Sequence, residues 1–571
     1  MGALNNDRLE NLRQNKESQF LYKICYSNKF FVNNCLARLE PFKHLDAPDD
    51  FPEDCNQLLT SISESFKSAT TSPNNFYELI PEFFFLPEFL KSPNKSINKI
   101  DDVQLPPWAN NSPFDFVYLH RKALESDYVS SHLNEWIDLI WGCKQNGDEA
   151  IKSDNVFNPK LYETYKESKE AKRTYGQIPR KLFDKEHPKK EFVYKCPISY
   201  FKDGNVNSTI VRLNGILSFE TADVYYSSNH LSFTLISTTN IYSFTLDLSD
   251  FKSQEFSVNL SSCKKIKQSQ RESFINNVNI LICNDKNEDN YNSLSSPMFI
   301  NTENICFIDE DSQSVKIVNV DKAVIEKIIE LNVEIISIMT SQEGWLAVYT
   351  SDDSITPKGN LSLSDDIDDE SNSINIIYKS DSGIIDELSY SGKLSFFRST
   401  ITCIAISQKF HTFICGTCDN HLLFCRLDLN KMFIDKMIKV NGKPNKITVT
   451  ETFGFVAVFM STIKNDKNIN ELAIFSINGD EIKSVQLDNI QNIVEMISVK
   501  SVPGGFDYLI LADNKKSIFV FEAFYLDINE PIYKKECNSS VVKLKYIKEL
   551  SILVAFCIDN TISIFHLPIK D

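Results

Sequence analysis

The sequence predicts a multidomain chain. A mostly α and irregular module occupies residues 1–190, and an all-β unit of about seven repeated blades follows over 191–571. Three observations carry this. A chain of 571 residues exceeds what one core supports. Helical spacing and proline-punctuated aromatic runs dominate the first part. From about residue 191, short β-rich runs alternate with turn residues almost to the C-terminus.

In the first part, the run Glu78-Leu-Ile-Pro-Glu-Phe-Phe-Phe-Leu-Pro-Glu-Phe-Leu90 is the most informative. Proline lacks an amide N–H and fixes φ, so neither a long helix nor a central strand can pass through. The Phe side chains are therefore expected to be buried, with the backbone satisfied outside regular ladders. Ser112-Pro113, with Asp115 close behind, is an N-cap followed by proline at the first helical position. Val129, Leu133, Trp136, Ile137 and Ile140 then recur at helical spacing, and Gly142 is a stop. That pattern predicts a helix that buries a Trp-containing stripe and shows Asn134, Glu135 and Asp138 to solvent. Lys166–Lys172, Gln177-Ile-Pro179 and Glu186-His-Pro-Lys-Lys190 are polar and proline-bearing, as a domain end should be.

The β part divides into units at Leu231–Leu248, Met298–Val320, Ile335–Tyr378, Ile401–Leu427, Lys446–Ile477, Val494–Phe524 and Val541–Leu567. The late ones are clearest: strand, strand, polar turn, strand, closing on an aromatic or Cys. Between 351 and 373, Asp352, Asp353, Asp365, Asp366, Asp368, Asp369 and Glu370 crowd among Ser and Asn, which predicts a disordered acidic loop.

Composition narrows function. The formal net charge is −17, which disfavours phosphate-tracking contacts to nucleic acid or anionic lipid, though a local basic patch is compatible with it. No leader pattern is visible, and no apolar run approaches the roughly 20 residues that cross a bilayer. The 14 Cys are scattered and read as reduced, buried thiols of a cytosolic protein.

Several groups invite chemical readings. Cys415-Gly-Thr-Cys418 with His411, His421 and Cys425 is the nearest approach to a zinc set. However, strand alternation sends such residues to opposite faces and no second Cys pair exists, so blade packing is favoured. Glu82 and Glu88 are a conceivable acid–base pair, against a structural role after their prolines. Glu135 and Asp138 are read as a solvated face, or more sharply as a partner contact. Trp108 in Leu-Pro-Pro-Trp-Ala109 could be a proline-rich ligand, against an anchor in the fold. His120, His132 and His187 are isolated, and no phosphate loop, dinucleotide fingerprint, zincin or nucleophile-elbow motif occurs.

The opening motif, together with Tyr26-Ser27, Arg38-Leu-Glu40-Pro41-Phe42, Asp102-Val-Gln-Leu-Pro106-Pro107-Trp108-Ala109, Arg121 to Tyr128 with Glu125, Leu133-Asn-Glu-Trp136-Ile-Asp138-Leu-Ile140, Gly142-Cys-Lys-Gln145, Asn155-Val-Phe157 and Tyr175-Gly176-Gln177-Ile-Pro179, resembles the BEACH (Beige/Chediak–Higashi) domain family. With Glu82, Phe83, Pro87, Glu88 and Phe89 from the opening run, these are the signature residues, and the resemblance implies structural roles for them. It covers roughly residues 1–190. The β part resembles degenerate WD40 repeats, with Cys425-Arg426, Phe521-Glu522 and Phe565-His566 in the Trp-Asp positions, which implies a propeller of about seven blades.

The resemblance implies a non-enzymatic scaffold without cofactor, binding trafficking proteins and associating with membranes peripherally through partners. The processes would be vesicle fusion and fission, lysosome-related organelle size, or autophagy. The place would be the cytoplasm or the surface of endosomal, lysosomal or vesicle membranes. A small GTPase is a candidate partner. The alternative from signalling is an anchoring adaptor for a kinase. In the family, the counterpart of Met1-Gly-Ala-Leu-Asn5 lies inside the domain, so this module reads as partial. That leaves a truncated copy or a mis-started gene model as a further expectation, with exposed apolar surface as its consequence.

Overall fold

The computed structural model describes, with short gaps, residues 5–42, 58–92, 100–161 and 176–190, and then 208–259, 298–351, 373–377, 394–395 and 401–566. The expected acidic loop lies outside the described residues, as do Glu40, Pro41, Tyr26 and Ser27. The chain forms two compact units, Met1–Tyr194 and Lys195–Asp571.

The described helices of the first unit are α1 (Asn6–Gln14), α2 (Lys29–Leu36), α3 (Ile62–Thr71), α4 (Pro113–Leu124), α5 (Asp127–Ile140) and α6 (Asp148–Lys152). Their starts follow local chemistry. Asn28, Ser61, Ser112 and Ser126 each accept a first-turn amide in the side chain, at α2, α3, α4 and α5 respectively. At α4 the cap, Pro113 at the first position and Asp115 in the first turn all stand as the sequence predicts. The Pro-Glu-Phe run folds as two one-turn 3₁₀ helices, Pro81–Phe84 and Pro87–Leu90, each opened by its proline. A third, Pro107–Ala109, carries Trp108. Isolated turns suit this segment because proline at the first position forfeits no intrahelical bond.

The first unit has two described cores. One gathers Cys35, Leu36, Ile80, Phe83, Phe89 and Phe116 with their neighbours from α2, the 3₁₀ turns and α4. The other joins Leu12, Tyr22, Cys25, Phe157, Leu161 and Ile178, and so ties α1 to the segments near 157 and 178.

The second unit is built of antiparallel sheets, with one parallel pairing. Strand β1 (Ser208–Asn214) is followed by β2–β4 (Thr221–Ser227, His230–Ile236, Ile241–Asp247), which form a three-stranded sheet, and by β5 (Glu255–Asn259). Four-stranded sheets follow in chain order. They are β6–β9 (Met298–Phe299, Asn304–Ile308, Ser314–Asn319, Val324–Glu330), β10–β13 (Glu334–Thr340, Leu346–Ser351, Ser373–Ile377, Leu394–Ser395) and β14–β17 (Ile401–Ser407, Thr412–Thr417, His421–Asp428, Lys431–Lys439). The next two are β18–β21 (Lys443–Val449, Val456–Lys464, Lys467–Phe475, Glu481–Gln486) and β22–β25 (Ile493–Lys500, Asp507–Asp513, Ser517–Glu522, Tyr533–Glu536).

The last strands, β26–β28 (Val541–Ile547, Ile552–Cys557, Thr561–His566), share a sheet with β1 and β5 in the order β26-β27-β28-β1-β5. β1 runs antiparallel to β28, with Ile210 opposite Ser563, and β5 lies parallel to β1, with Ile210 opposite Glu255. The described residues thus hold seven sheets, near the seven units expected. The sequence reading missed the outer strands β9, β13, β17, β21 and β25. It also missed the partnership of β1 and β5 with the chain's end, which no local pattern encodes.

First strands of successive sheets lie against one another: β14 on β18, β18 on β22, β22 on β26, and β26 on β2. Apolar residues fill the spaces between, for example Phe424 and Phe475 between the β14–β17 and β18–β21 sheets. Turns repeat as well. Asn420, Lys516 and Asn560 take left-handed φ values of 67°, 73° and 60° in the turns before β16, β24 and β28.

Candidate functional site

The signature residues fall into two groups within the first unit. In the first group, the rings of Phe83 and Phe89 pack at 5.0 Å between centroids, tilted by 58°, and Phe83 reaches Phe116 of α4 at 6.1 Å. Trp108 lies nearly parallel to Phe116 (5.3 Å, 15°) and to His120 one turn further along (5.8 Å, 20°). His120 also stands 5.8 Å from Phe84. Enclosed by rings, the imidazole is desolvated, and its pKa is lowered from the usual histidine value.

Two expectations need correction here. The Phe run is not uniformly buried: Phe83 and Phe89 are, but Phe85 is 56% exposed. A 3₁₀ turn has three residues per turn, so three consecutive Phe cannot all face one core. Trp108 is not a fully buried anchor; one face covers Phe116 while 47% of the residue stays exposed.

Arg38 is buried, and its Nε donates to the carbonyl of Asp101 at 2.7 Å. Desolvation lowers its pKa in spite of Asp102 and Asp101. Pro106 opens the turn bearing Pro107 and Trp108. The backbone carbonyls of Glu82 and Glu88 accept from Phe85 and Lys91 respectively. Arg121 and Glu125 end α4, where the amide of Glu125 donates to the carbonyl of Arg121 at 2.9 Å.

The second group surrounds the C-terminal end of α5. Asn155 Nδ2 donates to the carbonyls of Leu139 (2.8 Å) and Lys144 (2.9 Å), clamping the turn after the helix. Gln145 donates to the carbonyls of Ile140 and Pro179. Phe157 packs on Tyr22 at 5.0 Å, and Gly176 takes the left-handed φ of 82°. The carbonyl of Gln177 accepts from the Cys25 thiol.

At α5 the structure overturns part of the sequence reading: Ile140 is buried and Glu135 exposed as expected, but Asp138, Trp136 and Leu133 are not where the pattern puts them. Asp138 is buried, and its carboxylate accepts from the amide of His187 at 2.9 Å. Trp136 is 43% exposed and Leu133 is also exposed. Helical periodicity finds a stripe but not what covers it. Here a polar tether to the segment 180–190 fixes which face turns inward. Gly142 follows the end of the helix at a place where no side chain fits, since a Cβ there would meet Asp138 Cα at 2.6 Å.

Other groups escaped sequence reasoning. Arg8 is buried, with Nη2 donating to the carbonyl of Asn75 (2.7 Å) and Nε to that of Ser72 (2.9 Å). Arg13 meets Asp154 through two contacts. Only the charged character of α1 hinted at these long-range partners.

The Cys/His set of the second unit does not converge. Cys415 and Cys425 are buried in the sheet, Cys418 sits at an exposed turn, and His421 Nδ1 lies 3.1 Å from Asp419. Burial raises the Cys425 thiol to about 12 and Cys415 well above the usual range.

A proline-punctuated aromatic helical module, joined to a unit of repeated antiparallel sheets, defines the class of protein. Residues 1–190 match the model of the Beige/BEACH domain, and this part of the chain is similar to that family. Among its relatives, Beige protein homolog 1 of Saccharomyces cerevisiae is 39% identical over 208 residues, covering 32% of this chain and 10% of that protein. Beige protein homolog 1 of Schizosaccharomyces pombe is 36% identical over 207 residues, covering 32% and 8%. The putative neurobeachin homolog of Caenorhabditis elegans is 35% identical over 221 residues, covering 34% and 9%. The chain therefore matches about a tenth of the length of these relatives. Among the described residues, no helix is long and apolar enough to cross a membrane.

Proposed function

We propose that this chain is a non-enzymatic scaffold of membrane traffic that works by binding proteins. The observation that carries the reading is the BEACH match over residues 1–190 together with relatives named Beige and neurobeachin homologs. The signature residues support the domain's packing: Phe83, Phe89 and Arg38 are buried, and Asn155 and Gln145 are spent on backbone carbonyls. The second unit is read as a WD40-type propeller of about seven blades, supported by the serial sheets and by β1 joining β28. Its rims would present surfaces to trafficking proteins, a small GTPase among them, at endosomal, lysosomal or vesicle membranes. The test is affinity purification of the tagged full chain from cells. Coat, tether or GTPase components are expected; a stoichiometric kinase in their place would overturn the trafficking reading in favour of an anchoring adaptor.

A further inference from the structure

The segment that tethers to Asp138 is chemically unlike the rest of the chain. Residues 180–190, Arg-Lys-Leu-Phe-Asp-Lys-Glu-His-Pro-Lys-Lys, hold five cations against two carboxylates, a net of +3 in a chain whose formal charge is −17. They run without helix or strand, and Arg180, Lys185, Lys189 and Lys190 are exposed. Leu182 and Phe183 are 63% and 41% exposed beside them.

The strap is held in place rather than loose. The amides of Leu182 (2.7 Å) and Phe183 (3.0 Å) donate to the carbonyl of Trp141, and that of His187 donates to Asp138. The Trp141 ring in turn meets Trp136 edge-on at 5.1 Å. The anchoring therefore holds the exposed Leu182 and Phe183 on Trp141, the residue whose ring meets the half-exposed Trp136, with Leu133 one turn from Trp136 on α5.

We propose that this strap and the Trp136 face form a docking surface for an anionic lipid membrane, with Leu182, Phe183 and Trp136 entering the headgroup boundary and Arg180, Lys185, Lys189 and Lys190 facing lipid phosphates. Aromatic and leucine side chains next to Lys and Arg are the composition that partitions into an interface. The carboxylates of Asp184 and Glu186 in the strap and of Glu135 on α5, set against the strap's five cations, leave the balance positive. An acidic protein segment would complement the cations but would not account for three large apolar side chains spread over two elements. The inference rests on the trafficking reading only for the relevance of a membrane, and it replaces partner-mediated with direct contact.

The test is co-sedimentation of the purified full chain with vesicles of phosphatidylcholine alone or with 30% phosphatidylserine, at roughly 50 and 300 mM salt. Binding is expected only to the anionic vesicles and to weaken at high salt. Lys185→Ala with Lys189→Ala should lower partitioning by about fivefold for each charge removed. Leu182→Ser with Phe183→Ser should lower it by at least tenfold with charge unchanged. Both variants should melt as the parent does, because the anchoring bonds are made by backbone. No binding to anionic vesicles at low salt, or binding that both variants leave unchanged, overturns the proposal. Either result leaves the co-purification of trafficking proteins untouched, so the two readings fail separately.

Discussion

Phe89→Ala and Phe85→Ala form a matched pair, two Phe within one proline-punctuated run but in opposite environments. Phe89 is fully enclosed, packed on Phe83 and among Leu36, Ile80 and Phe116. Removing its ring costs the transfer of the ring plus the cavity left behind, about 3–5 kcal/mol. Zero exposure and several other large side chains in the core leave little room for collapse, which argues for the upper half of that range. Phe85, 56% exposed, keeps less than half of that burial, so its loss is about 1 kcal/mol or less. A domain stable by about 5–15 kcal/mol would lose roughly a third or more of its margin in the first case and little in the second. The assay is urea unfolding followed by tryptophan fluorescence. Of the chain's four Trp, Trp108, Trp136 and Trp141 lie in the first unit, so the signal reports mainly on it. A thermal midpoint lowered by about 10 °C is the parallel expectation for Phe89→Ala. Equal losses in the two variants, or a loss under 1 kcal/mol for Phe89→Ala, would refute the assignment of inward and outward positions.

Trp136→Ala should cost about 1–2 kcal/mol rather than the 3–5 of a buried ring, because nearly half of the residue is exposed; the same urea titration measures it. His120 carries a lowered pKa through desolvation, so the unfolded chain binds its proton more readily than the folded one. Its contribution to stability is full above the unfolded value of about 6.5 and is lost as pH falls towards the folded pKa, and His120→Phe should flatten that slope. In the second unit, buried Asp507 accepts from the amides of Thr452 (2.9 Å) and Phe453 (3.1 Å) in the turn of the preceding sheet. Asp507→Ala should cost about 2–3 kcal/mol in thermal unfolding, and Asp507→Asn clearly less, since one acceptor oxygen remains.

What the sequence made legible was local. Ser112-Pro113-Phe-Asp115 announces α4 because capping, proline placement and dipole complementarity all act within one turn. The prolines of the Pro-Glu-Phe run announce broken structure for the same reason. The late β units were readable because β14–β16 and β26–β28 each join strands that neighbour in sequence. Asp138 was misread because its partner, the amide of His187, lies 49 residues away. An aspartate two residues from Trp136, on the opposite side of the helix, looks solvent-facing until something distant needs its carboxylate. Likewise, Arg8 with Ser72 and Asn75 depends on contacts that periodicity cannot weigh.

The same distinction governs how the second unit must fold. β1 pairs with β28 across roughly 350 residues, so the sheet at the chain's end lacks a strand until both termini of the unit have met. β5 adds to the far side of β1, which means the pairing also determines whether β5 has a partner. Until then β28 would present an open edge, a template for pairing with other chains. The inner strands β27 and β28 are almost wholly buried, and Val554, Phe556, Ile562 and Ile564 share a core with Val211 of β1 and Phe233 of β3. Cutting β1 away should therefore do more than remove one ladder. It uncovers an apolar seam that local strands cannot cover, and deletion of 208–214 should produce loss of cooperative unfolding and aggregation rather than a modest fall in melting temperature. A truncated unit that unfolds in one sharp transition and stays monomeric by light scattering would show that the β1–β28 ladder is dispensable, and with it the idea that this unit is held as one body by joining its first strand to its last.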